Sequence, residues 1–249
     1  MNRFINELYW LVFLQVLVGC VLAGCGAVPA DLELNPSREW VSLDADHGWD
    51  ARLLWSGDVG VWAVELFDVL PFVAGPEVVA LDDRGRCTLL GLNADIVYLW
   101  QPIMDIQWLG TAAHADIDPS WEGPEPYVGG KRGNLYQTVA LPQGGFNAHV
   151  IAYFPAKEIH TLIDADLDGA IPGRELYAGL INGELVRIDP PGDGGQWKTV
   201  VVHKDPGRIR DAVVLPDEGR RTSSLVYVSR SGRLVRLRHE DGGMGEEVL

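Results

Sequence analysis

The sequence predicts an all-β protein built from a repeated unit of four short strands. Three observations carry that expectation. Four segments superimpose without gaps: "EVVALDDRGRCTLL" from Glu77, "EPYVGGKRGNLYQT" from Glu125, "ELYAGLINGELVRI" from Glu175 and "SLVYVSRSGRLVRL" from Ser224. Each places a glycine eight residues after its first residue, at Gly85, Gly133, Gly183 and Gly232, so the period is about 49 residues. Within each copy the apolar residues alternate with period two on both sides of that glycine, as Leu176, Ala178 and Leu180 do before it and Val186 and Ile188 after it. The pattern reads as strand, tight turn, strand, and Asn182-Gly183 is a strong turn signal because both residues tolerate positive φ.

Further apolar runs complete the unit. "VWAVELFDV", "TAAHADI", "EIHTLID" and "IRDAVVL" precede the four hairpins, and "DIVYLW", "FNAHVIAYF" and "QWKTVVV" follow the first three. Four strands in about fifty residues is the arithmetic of a β-propeller blade. At the N-terminal side "REWVSLDADHGWDARLLW" matches the third and fourth strands of a unit, and the last unit ends on the short run "DGGMGEEVL". The expectation is therefore four blades plus a partial one, either an open or incomplete ring, a fragment of a larger propeller, or a small ring closed by the partial blade.

Composition narrows the function. A net charge of −15 argues against non-specific binding to nucleic acid or to an anionic membrane surface and favours cations as partners. The basic residues Arg208, Arg210, Arg220, Arg221, Arg230, Arg233, Arg236 and Arg238 gather near the C-terminus, where a solvated sheet face is the simplest reading. The six histidines show no metal-ligand spacing, and no nucleophile elbow or phosphate-cradling loop is present, so no catalytic residue is expected. The tryptophans, among them Trp62, Trp100, Trp108, Trp121 and Trp197, serve either blade packing or a carbohydrate- or protein-binding surface.

The N-terminal segment has the layout of a secretory signal. Arg3 precedes the apolar run of residues 8–24, which small residues and a polar, proline-containing stretch follow. Leu22-Ala23-Gly24-Cys25 resembles the lipobox of bacterial lipoproteins. That resemblance implies cleavage before Cys25, acylation of its thiol and amine, and a mature protein held in a membrane by its acyl chains. An uncleaved transmembrane helix is the alternative, and Cys20 is a second, weaker acceptor. The expected division is residues 1–24 as signal, 25–36 as linker after the lipidated cysteine, and 37–249 as propeller. After processing only Cys87 remains, which leaves no intramolecular disulfide. Gly26 after the cysteine favours the outer membrane or cell surface.

The stretch "DADLDGAIPGRE" fits D-x-D-x-D-G-x5-E with Asp164, Asp166, Asp168, Gly169 and Glu175 in register. It is not an EF-hand, since Pro155 leaves little room for an entering helix and a hairpin follows. The pattern resembles the FG-GAP and VCBS repeats of bacterial surface proteins, related to the calcium-bearing blades of integrin α-subunits, in which an Asp-rich loop joins the first two strands. The resemblance implies one calcium at Asp164, Asp166 and Asp168, with Glu175 in place of the ninth-position Asp, where this chain has Pro172. A solvated Asp-rich turn is the alternative. Asp116 and Asp118 keep part of the pattern in the preceding unit, with His114 and Pro119 in place of Asp164 and Gly169. Kelch repeats share the period, but their glycine pair occurs only at Gly129-Gly130.

Together these features point to a lipid-anchored, non-enzymatic propeller of the cell envelope that binds a protein or glycan. The alternative is an extracytoplasmic enzyme or lectin that uses the propeller as a substrate platform. Cys25→Ser is expected to abolish lipidation and detergent-phase partitioning in a bacterial host; wild-type partitioning of that variant would assign the anchor to Cys20 or to an uncleaved helix.

Overall fold

The computed structural model describes residues 40–42, 50–52, 60–69, 75–91, 97–100, 108–141, 146–191, 195–217, 222–240 and 243–249. The chain divides into two units, Met1–Ser56 with Gln143–Gly145, and Gly57–Pro142 with Phe146–Leu249. In the first, β1 (Trp40–Ser42) and β2 (Asp50–Arg52) pair antiparallel as a two-stranded sheet. Cys20, Cys25 and the signal and linker segments lie outside the described residues. Among the described residues no helix is long and apolar enough to cross a membrane.

The second unit is a β-propeller of four antiparallel four-stranded blades. Blade 1 holds β3 (Val61–Phe67), β4 (Glu77–Asp82), β5 (Cys87–Gly91) and β6 (Val97–Trp100). Blade 2 holds β7 (Leu109–Ala115), β8 (Glu125–Gly130), β9 (Asn134–Ala140) and β10 (Phe146–Tyr153). Blade 3 holds β11 (Ile159–Ala165), β12 (Glu175–Leu180), β13 (Glu184–Asp189) and β14 (Lys198–Lys204). Blade 4 holds β15 (Ile209–Pro216), β16 (Ser223–Ser229), β17 (Leu234–Glu240) and β18 (Gly243–Val248). The second strands begin where the repeat predicts, at Glu77, Glu125 and Glu175, with Ser223 one residue ahead of the expected Ser224.

Blades stack through their first and second strands, with β3 packing on β7, β7 on β11 and β11 on β15. The core is accordingly a set of apolar layers between blades. Leu81 and Leu89 meet Leu109 and Val128; Tyr127 and Leu135 meet Leu162 and Leu176; Tyr177 and Leu185 meet Leu225 and Leu237. Cys87 belongs to the first layer, and burial pushes its thiol well above the ordinary range. The first strands of blades 2 and 3 are largely buried, whereas β3 leaves Val64 and Leu66 exposed and β15 leaves Val213 and Leu215 exposed.

Two devices recur in all four blades. The register of the first strand shifts at one equivalent place, between Val61 and Ala63, Leu109 and Thr111, Ile159 and Thr161, and Ile209 and Asp211. A bulge there takes the extra residue, Trp62, Gly110, His160 or Arg210, out of the alternation of its strand. The turn that joins the second and third strands is then tied to the start of the first strand. The amides of Asp83, Lys131, Ile181 and Arg230 donate to the carbonyls of Gly60, Trp108, Glu158 and Arg208 at 2.8–3.2 Å.

All four repeat glycines in these turns have positive φ, 72° at Gly85, 75° at Gly133, 84° at Gly183 and 80° at Gly232. Their surroundings differ. A Cβ at Gly183 would land against the carbonyl oxygens of Asp205 and Gly207, whereas one at Gly232 would meet open space. Gly232→Ala is therefore expected to cost about 1–2 kcal/mol, from the backbone alone. Gly183→Ala should cost about 2–5 kcal/mol because overpacking adds to the same penalty. Urea unfolding of the two variants checks the difference.

Candidate binding surfaces at the two ends of the blades

One end of the propeller carries the connections between first and second strands. In blade 3 this is the Asp-rich loop, and each of its four candidate ligands can be placed. Asp164 lies near the end of β11, and Arg174 chelates it, with Nε donating to Oδ1 at 2.6 Å and to Oδ2 at 2.7 Å. Asp168 accepts from the amide of Ala170 at 3.0 Å through Oδ1 and from Arg187 at 3.0 Å through Oδ2. Asp166 contributes its backbone carbonyl, which accepts from the amide of Ser223 in blade 4 at 2.8 Å. Glu175 is only 2% exposed, and its Oε2 accepts from the amide of Leu167 and the hydroxyl of Tyr177, each at 2.9 Å.

The arrangement does not fit a calcium cage. Two of the three aspartates already hold guanidinium groups, Glu175 anchors the loop from within the blade, and among the described residues no group of three or more acidic, histidine or cysteine side chains is placed to hold a metal. Gly169 does not have positive φ, so the turn does not demand glycine there; Gly173, at 96°, does. The equivalent loop of blade 2 shows what specifies the shape. It has Pro119 at the place of Gly169, yet Asp118 accepts from the amide of Ser120 at 2.9 Å, as Asp168 does from Ala170, and Gly123 has φ 85°. Asp-centred turns and a positive-φ glycine thus build both loops.

A polar pair then fixes each loop to its third strand. Asp118 accepts from Gln137 at 2.9 Å, Asp168 from Arg187 at 3.0 Å, and Asp217 from Arg236, always across 19 residues. Sequence inspection missed this device. Its signal was present in the equal spacing, but the partner changes from Gln to Arg and is hidden among other strand residues.

Buried Glu125 and Glu175, both pushed up by burial, make this end sensitive to pH. One carboxylate oxygen of Glu125 and one of Glu175 lack a partner. Burial, with smaller contributions from Asp118 and Asp116, pushes Glu125 up to about 7. Native Glu125 therefore holds its proton at pH values where an unfolded glutamate has lost it, and stability falls as pH rises through that range.

The other end of the blades carries the hairpin turns and the entries of the first strands. Aromatic and basic side chains meet there across several blades. Trp62 stacks on Trp108 with centroids 5.3 Å apart, Trp108 tilts against His160 at 5.7 Å, and Nη1 of Arg208 lies 3.2 Å from Nε2 of His160. Gly110 and Gly130 make this possible, since a Cβ at either would collide with the ring or carbonyl of Trp108. The indole N–H of Trp62, itself 56% exposed, donates to Asp83.

Beside this row lies a groove of about 750 Å³ lined by Asp83, Trp108, Lys131, Arg132, Tyr153 and Glu158. Tyr153 is 59% exposed. Ala156, also on the groove wall, is the one described non-glycine residue with positive φ, at 55°. It follows Pro155 in a turn closed by the Lys157 amide on the Phe154 carbonyl at 3.1 Å, where the next interblade connection has Pro206-Gly207. Trp197, in contrast, packs at the edge of the blade 3 core, 6.2 Å from Tyr127, and Trp121 at the loop end stacks with His149 at 6.4 Å. The side chain of Trp100 lies outside the described residues.

With Arg174 and Arg187 on the loop carboxylates, a chelator is expected to leave the Tm unchanged. A fall of several degrees, removed by Asp166→Ala, would mean that calcium displaces Arg174. Raising the pH from 5 to 8 is expected to destabilise the wild type, and Glu125→Gln should recover on the order of 1–3 kcal/mol at pH 8, read from urea titrations at both pH values.

No family model and no curated protein matches the chain. Among solved structures 76 chains match. One of them, described as the crystal structure of BBS1N in complex with ARL6DN, soaked with lead, is 16% identical with a TM-score of 0.38. The match covers 75% of this chain and 66% of that one. The propeller assignment rests on the four sheets themselves.

Proposed function

We propose that this protein is a lipid-anchored binding module of the cell envelope, and that it holds a protein or glycan partner at the hairpin-turn end of its blades. The groove beside the Trp62–Trp108–His160 row carries this reading. It is concave, spans turns of successive blades, and presents indole and phenol rings next to lysine, arginine and carboxylate side chains. Aromatic and arginine side chains are the residue types over-represented where proteins make energetically important contacts. The strained backbone at Ala156 lies on the same wall, as strain tends to do at binding sites. Calcium is left out of this proposal, because Arg174 and Arg187 already pair with Asp164 and Asp168. The envelope location and the lipid anchor rest on the sequence of residues 1–25 alone.

The reading is tested by comparing capture of envelope components and binding on a glycan array for the wild type, for Tyr153→Ala with Trp62→Ala, and for Asp166→Ala. Loss with the aromatic pair of substitutions and retention with the loop substitution is the expected result. Retention by the aromatic variant and loss at the loop end would move the site to the opposite end. The enzyme reading would replace this one if the chain turned over a substrate and one carboxylate substitution abolished turnover.

A further inference from the structure

The described arginines near the C-terminus fall into two sets, while Arg220 and Arg221 lie outside the described residues. Arg233, Arg236 and Arg238 are neutralised: Arg233 bonds Asp205 of the connection from blade 3 at 2.8 Å and also Glu246, Arg236 bonds Asp217, and Arg238 lies 3.5 Å from both Asp217 and Glu247. Arg208, Arg210 and Arg230 are different. They lie together at the hairpin-turn end, where the amide of Arg230 donates to the carbonyl of Arg208 at 2.8 Å, and Arg210 is the bulge residue two positions along β15. Among the described residues none of the three makes an ion pair with a carboxylate. Burial and the charges of Arg210 and Arg230 pull the Arg208 guanidinium below its ordinary range, and its Nε is buried without an acceptor. Three neighbouring guanidinium groups without an ion pair, in a chain of net charge −15, make a local field that an anion would relieve.

Of the nearby acids, Glu158 acts on Arg208 only from beyond ion-pair distance. Glu158 lies 3.3 Å from His160, and Asp83 takes the indole N–H of Trp62. Burial, and then Arg208, pulls His160 below its ordinary value, and its Nε2 accepts from Arg208. From the arginines the row continues through His160 and Trp108 to Trp62. Protein hot spots tend to sit in well-packed, desolvated pockets. Trp62 and Tyr153 are instead more than half exposed and offer flat faces, against which the C–H face of a pyranose ring packs.

We propose that Arg208, Arg210 and Arg230 form a site for the carboxylate groups of an acidic glycan whose sugar rings lie along the adjoining aromatic row. This rests on the binding-module reading and names the ligand class of that site.

The test is calorimetric titration of the full chain, in detergent, with tetragalacturonate, a neutral galactose tetramer, tetraglutamate and inorganic phosphate as probes. The acidic sugar is expected to bind more tightly than the other three, and to weaken with added salt. Arg208→Gln and Arg230→Gln should each reduce affinity about tenfold or more. Trp62→Ala should also reduce it, but without changing the salt dependence. Because Arg208 is half-buried, the exposed Arg210→Gln serves as a variant whose folding is not in question. Equal or tighter binding of tetraglutamate or phosphate, or wild-type affinity in the arginine variants, would overturn the proposal. If a neutral glycan or a protein binds the groove and the arginine variants bind it equally well, the module reading stands and this one falls. If no ligand of any class binds at this end, both fall.

Discussion

The hydrogen bond between each hairpin turn and the entry of its own first strand is the constraint on which the architecture depends. It joins the turn amide to the carbonyl ahead of the first strand in every blade, across strand 2 of a sheet that would otherwise fray at that end. Only a tight turn brings the amide there, and the tight turn requires a positive-φ residue, which fixes glycine at one position in each repeat. The same bond places Gly60, Trp108, Glu158 and Arg208 at equivalent points on one end of the propeller. The bulge two residues later places Trp62, His160 and Arg210 beside them. A requirement of blade folding thus assembles the row of aromatic and basic side chains, and the composition of that row is free to vary because the backbone holds its positions.

The two ends of the blades are electrostatically unlike. The loop end gathers Asp116, Asp118, Asp164, Asp166, Asp168 and Asp217, most of them engaged by backbone amides or by Gln137, Arg174, Arg187 and Arg236. Those contacts give the loops their shape and tie them to the third strands. The turn end gathers Lys131, Arg132, Arg208, Arg210 and Arg230. The turn end also carries Asp83 and Glu158, so each end mixes both signs in a chain of net charge −15.

Much of the fold was legible from residue spacing. The repeat of about 49 residues located the hairpins, the glycines and the starts of Glu77, Glu125 and Glu175, because a turn that needs positive φ and a strand that alternates both leave marks in the sequence. The site was less legible. The Asp-rich stretch records which residues share a loop, yet the occupancy of its carboxylates depends on Arg174, next to Glu175, and on Arg187 from the third strand. The spacing of 19 residues that links Asp118, Asp168 and Asp217 to their partners crosses two strands and so escapes a short-motif reading. Trp108 and His160 meet only because equivalent points in adjacent blades stack in space, and sequence distance gives no hint of that contact.

Hydrogen–deuterium exchange of the full chain, with and without a saturating acidic oligosaccharide, tests the placement of the binding surface most directly. The account predicts added protection at residues 83–85, 131–133, 153–158, 208–210 and 230–232, with residues 116–124 and 166–174 unchanged. Protection confined to those two Asp-centred loops would contradict it.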